Sequence, residues 1–313
     1  MGEKDHDSSS SSFKEAAQRL DHRGWNEQQY LEQYDVSEFE RPSVTADMLI
    51  FTILDEQQDN YRKLPEKSLH LMMVQRGEHP YLGWWALPGG FVAMNESLDE
   101  AAARELHSET GLDGIYMEQL YTWGAVDRDP RTRVISTAYM ALADSTRQQI
   151  QAGDDAQDAR WFKLGYRVLQ EKKVHIEGGC RLERDMQVEL VHQDIRLSGT
   201  VRVTRTYRGT LNGEQWQVLS SDGIAFDHVQ MIAYGLERLR SKIEYTDIAF
   251  NLMPPLFTLS ALQQVYEIVL GKELLAPAFR RKMAPRVIAT NEYTKDAGHR
   301  PSQLYRYRPE WEV

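Results

Sequence analysis

Cysteine is nearly missing from this chain: Cys180 is the only one among 313 residues. That excludes an intrachain disulfide and any cysteine-cluster metal site. Long apolar runs are missing as well. The longest candidate, Met48-Leu49-Ile50-Phe51-Thr52-Ile53-Leu54, is strand-sized, far short of the ~18–20 residues of a membrane helix, so no membrane partner is expected. The opening residues Gly2-Glu3-Lys4-Asp5-His6-Asp7, followed by five serines, hold neither a basic start nor an apolar stretch. No secretory leader is expected, and the cytoplasm is the expected compartment. An overall basic charge is absent too. Lys and Arg number 37 against 47 Asp and Glu, a net of −10, which speaks against nucleic-acid binding by the chain as a whole. The distribution is uneven, however. From Phe257 to Val313 nine basic residues face six acidic ones, a net of +3. Such asymmetry fits a basic module carried by an acidic chain, although +3 over a short segment is a weak signal taken alone.

What is present is ordinary for a soluble protein of about two domains: 41% hydrophobic and 27% charged residues. Residues 1–40 read as a polar tail with short helices, one marked by Phe13, Ala16, Ala17 and Leu20, another near Asn26–Gln33. Strands are predicted at Val44–Leu54, Leu69–Gln75, Val134–Ala143 and Ala159–Leu164. Residues 169–224 read as an antiparallel β insertion, with turns signalled at Asn212-Gly213 and Asp222-Gly223. Phe226–Ile243 is helical, with an apolar stripe of Val229, Ile232, Ala233, Leu236 and Leu239 that must bury against something. Pro254-Pro255 marks a boundary. The implied domains are 41–168 together with 225–250, the insertion 169–224, and a C-terminal module at 255–313.

The stretch Gly90–Leu112 carries the chemistry. Gly89 and Gly90 let the main chain approach a ligand closely. Ser97 and Glu100 fit a capping box that opens a helix over Leu98–Thr110, and Gly111 fits the residue just past its end. Glu105 and Glu109, four apart, share one helix face. Two like charges there cost helix stability unless a dication sits between them, and an oxygen-only donor set suits Mg²⁺ or Mn²⁺.

Gly90, Glu96, Arg104, Glu105, Glu109 and Gly111 fall at the spacing of the Nudix box. The stretch resembles that signature of enzymes that cleave nucleoside diphosphates linked to another group. The resemblance implies an α/β/α sandwich, with Arg104 orienting Glu105, and with Glu105 and Glu109 facing Mg²⁺ and a pyrophosphate. One position departs from the pattern. Ser108 stands where the family has a glutamate, which weakens the Mg²⁺ site and with it hydrolysis, but leaves the pocket shape alone. A second string, Asp127-Arg128-Asp129-Pro130-Arg131, reads either as a charged hairpin loop or as a phosphate grip. It also looks like the Arg-Asp-Pro-Arg element of ADP-ribose-type Nudix proteins, which points to Arg131 as a ligand residue.

Beyond Pro255 the order is helix, helix, strand, polar tip, strand. A capping box at Ser260 and Gln263 opens the first helix, and Leu262, Val265, Tyr266 and Val269 form its buried stripe. The second, about Pro277–Met283, carries Arg280-Arg281-Lys282, and the tip holds Lys295, His299 and Arg300. A charge run of this kind is commonly just a solvated helix face. Here it stands where a winged helix-turn-helix has its recognition helix, with the tip placed to touch phosphate. Joined to a Nudix box, and with Ala225-Phe226-Asp227-His228 and Arg300-Pro301-Ser302-Gln303-Leu304-Tyr305, the chain resembles the Nudix-related transcriptional regulators of NAD metabolism and sugar use. That resemblance implies an α+β protein: a Nudix sandwich with a β insertion, then a winged helix. It implies an ADP-ribose-like or sugar effector, operator DNA contacted by Arg280, Arg281, Lys282 and Arg300, and a homodimer. The alternative reading is an ADP-ribose-type hydrolase whose C-terminal module only dimerises. His175, His192 and His228 lack metal-ligand spacing and are expected to be structural, as is Cys180.

Overall fold

The computed structural model describes residues 18–56, 67–111, 113–144, 156–294 and 301–309. Lys295, His299 and Arg300, together with the helix expected around Phe13, fall outside them or at their margin. The chain divides into two compact units, 1–42 and 43–313. In the first, helix α1 (Glu27–Gln33) starts at Asn26, whose side chain accepts from Gln29 N while the Gln29 side chain caps Asn26 in return. Tyr34 stacks its ring between those of Tyr30 and Phe39, at 5.8 and 5.9 Å.

The second unit is built on one mixed sheet. Its strands are β1 (Ser43–Asp55), β2 (Lys67–Arg76), β3 (Trp85–Ala86), β4 (Gly89–Phe91), β5 (Tyr116–Trp123), β6 (Val134–Leu142), β7 (Ala156–Ile176), β8 (Gly179–His192), β9 (Ile195–Arg208) and β10 (Leu211–Asp222). The order is β10-β9-β8-β7-β2-β1-β6-β5, with β3 on β2 and β4 on β1. β1 and β6 run parallel, from Ser43↔Val134 to Phe51↔Leu142. The central strand β1 is buried on both faces, which explains its unbroken apolar run. Met48 and Ile50 face helix α2 (Leu98–Thr110), packing with Ala101, Ala102 and Leu106. Leu49, Phe51 and Ile53 face the other side and helix α3 (His228–Ile243). That is the expected α/β/α sandwich.

The segment 169–224 is not a separate sheet. β7 runs without a break from the sandwich into it, past a bulge between Val168 and Gln170, and β8, β9 and β10 extend the same sheet. The tight turn falls at Gly209-Thr210, not at Asn212-Gly213, which pairs within β10 against Tyr207 and Thr206. The extended sheet curls round α3, so rings from both end strands reach Tyr234: Tyr121 and Trp123 of β5 at 5.1 and 5.5 Å, and Trp216 of β10 at 5.5 Å. The α3 stripe is fully buried, in the core of its own chain.

The C-terminal module comprises α4 (Leu259–Leu270), α5 (Ala276–Met283), and a hairpin of β11 (Val287–Tyr293) and β12 (Gln303–Tyr307). Thr258, not Ser260, caps α4, accepting from Ala261 N. Leu262, Val265, Tyr266 and Val269 form its buried stripe, as the spacing predicts, and Phe279 of α5 packs edge-on to Tyr266 at 5.2 Å. Arg240 of α3 donates from Nε to Val269 O at 2.8 Å, satisfying one of the last carbonyls of α4. Asp247 accepts from Arg286 and from the Tyr307 hydroxyl. These bonds fasten the module to the end of α3. Among the described residues no helix is long and apolar enough to cross a membrane.

Candidate functional site: the Nudix box and the basic helix

The box helix begins as the sequence predicts. Ser97 and Glu100 cap each other's backbone groups, and Gly111 closes the helix in the left-handed conformation. This fixes the helix phase so that Glu105 and Glu109 turn inward and are buried, while Arg104 and Ser108 are exposed. Arg104 ties three groups together. It donates to Glu96 from Nε and Nη2 at 3.0 and 2.7 Å, to Glu105 Oε1 at 2.6 Å, and to Phe91 O at 3.1 Å. Those bonds, with Ala93 N–H, pull the Glu96 carboxyl down to about 2 and hold Arg104 above its ordinary value. Burial pushes Glu105 up, with Arg104 opposing it.

Gly89 and Gly90 have a packing reason. A Cβ on Gly90 would lie 2.2 Å from Glu105 Oε1, and one on Gly89 would lie 2.4 Å from Ala46 O. Glycine here lets β4 close onto β1 and leaves room for the Glu105 carboxylate.

Three further groups gather here that the box signature does not include. Asp47 is buried in the middle of β1, accepts from Ser136 Oγ, and lies 3.9 Å from Arg128 Nη2; burial raises its carboxyl. Arg128 is itself buried, and donates from Nε and Nη2 to Asp227 at 3.1 and 2.8 Å. His228 is buried, and its Nδ1 accepts from Leu87 N at 2.9 Å, so it is a core histidine as expected. Asp47 left a signal as the acid in the middle of an apolar strand. Arg128, Asp227 and His228 meet across about a hundred residues of chain, beyond any local pattern.

Arg131 is half-exposed and held by Asp129 through Nε and Nη2 at 3.0 and 2.8 Å. Burial of Asp129 is outweighed by these bonds, so its carboxyl sits below the ordinary value. The Arg131 guanidinium lies 5.6 Å from the ring centroid of Phe91, whose carbonyl Arg104 holds. Gly90, Glu105 and Arg131 are therefore gathered around β4, from three separate parts of the chain.

A Nudix domain implies a divalent cation at this box. The residues present do not fit a catalytic metal cluster. Ser108 Oγ donates to Glu105 O at 3.2 Å, spending its hydroxyl on its own helix. One Glu105 oxygen is taken by Arg104. Among the described residues no group of three or more His, Cys, Asp or Glu side chains is placed to hold a metal ion.

In the C-terminal module Arg280 and Arg281 are exposed in the last turn of α5. Lys282 is exposed but turned back on the body: its Nζ donates to Glu244 O at 3.1 Å and lies 5.7 Å from the Tyr266 ring centroid.

Comparison with known proteins agrees with this geometry. Residues 49–175 match the NUDIX domain, and residues 249–307 match the NrtR DNA-binding winged helix domain. The ADPR responsive transcriptional repressor NtrR of Acinetobacter baylyi is 32% identical over 287 residues, spanning 90% of this chain and 88% of its own. The crystal structure of Shewanella oneidensis NrtR complexed with a 27mer DNA is similar at a TM-score of 0.57 and 28% identity, over 86% of this chain and 95% of its own. A MutT/nudix family protein from Enterococcus faecalis gives 0.61 and 26%, over 89% and 91%. An ADP-ribose pyrophosphatase of Methanocaldococcus jannaschii is 39% identical, but over 99 residues that span 32% of this chain and 57% of its own. With a Nudix domain, a winged helix, and a full-length likeness to a repressor, the chain belongs to the NrtR family of Nudix-related transcriptional regulators.

Proposed function

We propose that this protein is an ADP-ribose-responsive repressor that acts in the cytoplasm as a homodimer. One observation carries the reading: the box keeps its buried Glu105 and the Arg104–Glu96 brace, while Ser108 spends its hydroxyl within the helix. The brace around Glu105 is kept while the metal cluster is depleted, which suits a sensor better than a catalyst. Gly89, Gly90 and Arg131 border the ligand. Glu105 and Glu109 are too few carboxylates for a catalytic Mg²⁺ cluster. Arg280 and Arg281 meet operator DNA, with Lys282 and Arg300 supporting phosphate contacts. A dimer lets two α5 helices reach half-sites about one helical turn apart. The effector releases DNA because it binds one arrangement of the winged helices better than the other.

The test is an electrophoretic mobility shift with upstream DNA of the protein's own operon, with and without ADP-ribose. Wild type shifts the DNA and ADP-ribose releases it; Arg280→Ala with Arg281→Ala abolishes the shift. Retention by the double variant overturns the assignment of α5. Hydrolysis is the second reading, favoured by the intact Arg104–Glu105 bond. Cleavage of ADP-ribose in Mg²⁺ is expected to be weak or absent and to rise in Ser108→Glu. Turnover near the ~10 s⁻¹ typical of enzymes would make the protein a hydrolase first.

A further inference from the structure

Where the winged helix meets the sandwich, far from the box, the described residues leave a cavity of about 230 Å³. Its walls come from both sides of that joint. The sheet supplies Ile53 and Lys67, from the paired ends of β1 and β2. The module supplies Ala261 and Val265 of α4 and Leu304 of β12, and Phe257 comes from the connector. Ile53 stands about 20 Å along β1 from Asp47, at the ~3.3 Å per residue of a strand. The cavity is therefore separate from the Nudix box.

Packed interiors hold few voids larger than a water molecule, and the make-up of this one points to a guest. The walls are fixed without it. Phe257 and Tyr305 exchange backbone hydrogen bonds at 3.0 and 2.8 Å, which sets β12 beside the connector, and Leu262 N donates to Thr258 O at 3.1 Å in the first turn of α4. Such preformed, mainly apolar hollows are what small-molecule sites are made of. The aliphatic and aromatic lining gives water few polar partners. Phe257 offers a ring and Met253, also in the lining, a sulfur, and both favour a flat aromatic guest. The ionic group of the lining, Lys67, is already paired with Asp55. A charged guest has to compete with that ion pair; an uncharged one does not.

We propose that this cavity binds a small uncharged aromatic molecule of one or two rings, and that the bound molecule sets how the winged helix sits on the sandwich. An apolar cavity of ~150 Å³ takes benzene, so about 230 Å³ has room for a fused pair of rings. The guest touches sheet, connector and module together. Its binding favours the arrangement of the joint that supplies all three walls, and such differential affinity is what shifts a conformational equilibrium. The influence on the winged helix rests on the reading of the module as operator-binding. It makes the joint a second input, distinct from the effector input at the box.

The experiment is calorimetric titration of the full chain with indole, phenol and benzoate, on wild type, Ala261→Met and Leu304→Phe, two variants that fill the cavity from different walls. Far-UV circular dichroism and urea midpoints report that each variant is folded. Wild type is expected to bind indole and phenol, each at least tenfold more tightly than benzoate, and each folded variant to lose tenfold or more for indole. Mobility shift with operator DNA is then run with and without saturating indole. Operator affinity is expected to change threefold or more in wild type and to stay put in Ala261→Met. Wild type that binds neither indole nor phenol, or that binds benzoate as tightly, overturns the site, as do folded variants that bind indole like wild type. Indole binding that the variants lose, with operator affinity unmoved, keeps the site and overturns its influence on the winged helix. If indole binds and operator never does, the site stands and the operator reading falls.

Discussion

Burial beside Leu87 pushes the His228 imidazole down to about 4, against the pull of Asp227 and with the help of the Arg128 charge. Unfolded, the ring titrates near 6.5. Between those values the unfolded chain binds a proton that the native chain excludes. The neutral ring's contribution is therefore complete above 6.5 and is lost as pH falls through 6.5 towards 4, by on the order of 3 kcal/mol at the bottom. Asn at this position keeps an acceptor near Nδ1 and does not titrate. Urea unfolding at pH 7.5 and pH 4.5 should show a smaller drop for His228→Asn than for wild type; equal drops would show that His228 does not govern this window. At Gly90 the expectation is steric. Gly90→Ala puts a Cβ 2.2 Å from the buried Glu105 carboxylate, so either Glu105 or β4 must shift. ADP-ribose affinity should fall while ligand-free operator binding holds, a split that titration and mobility shift together resolve. Residues of this kind divide by how far their reasons reach along the chain. The roles of Ser97 and Gly111 were legible, because a cap is settled within a few residues. The pairing of Arg128 with Asp227 was not, because it joins distant parts of the chain that only the fold brings together.

Helix α3 is the element on which the sandwich closes. At Gly235 α3 packs closely on the sheet: an added Cβ would meet Leu49 Cδ2 at 2.4 Å and Leu120 Cδ2 at 3.3 Å. Gly235→Ala should therefore destabilise by about 1–3 kcal/mol through overpacking, although alanine is the better helix former. Leu236→Ala, one residue on, should cost about 2–5 kcal/mol by leaving a cavity. Denaturant midpoints check both, and a Gly235→Ala chain more stable than wild type would contradict the close approach. The stripe itself was readable from 3.6-residue periodicity. What it packs against was not, since periodicity gives a face and no address. Within the insertion, read correctly as antiparallel strands, one turn was misplaced for a related reason. Asn212-Gly213 has the local chemistry of a hairpin turn, but registry with β9 carries the chain through it, and Gly209-Thr210 turns instead. Long charged strands such as the outer part of β7 also lack the apolar alternation that would have marked their length.

At the scale of the whole molecule, an acidic body carries a small basic module, so the field that draws DNA is local. Arg280→Ala should weaken operator binding and flatten its decline with salt by roughly one unit of log–log slope, if the side chain neutralises a phosphate. A slope equal to that of wild type would place Arg280 off the backbone. Effector and operator must also oppose each other equally. Whatever factor ADP-ribose takes from operator affinity, operator must take from ADP-ribose affinity. Titrating ADP-ribose with and without saturating operator measures that factor, and a factor of one would show that the two sites are uncoupled.

The ring cluster at Tyr234 makes the molecule its own optical gauge. Trp123 and Trp216 come from opposite ends of the sheet and both lie 5.5 Å from this one tyrosine of α3. A helix that slides or tilts to pass a signal must move that ring away from at least one indole, changing the quenching and polarity each one reports. With Trp123 and Trp216 replaced in turn by phenylalanine, the direction of the helix's travel becomes a matter of which indole changes colour.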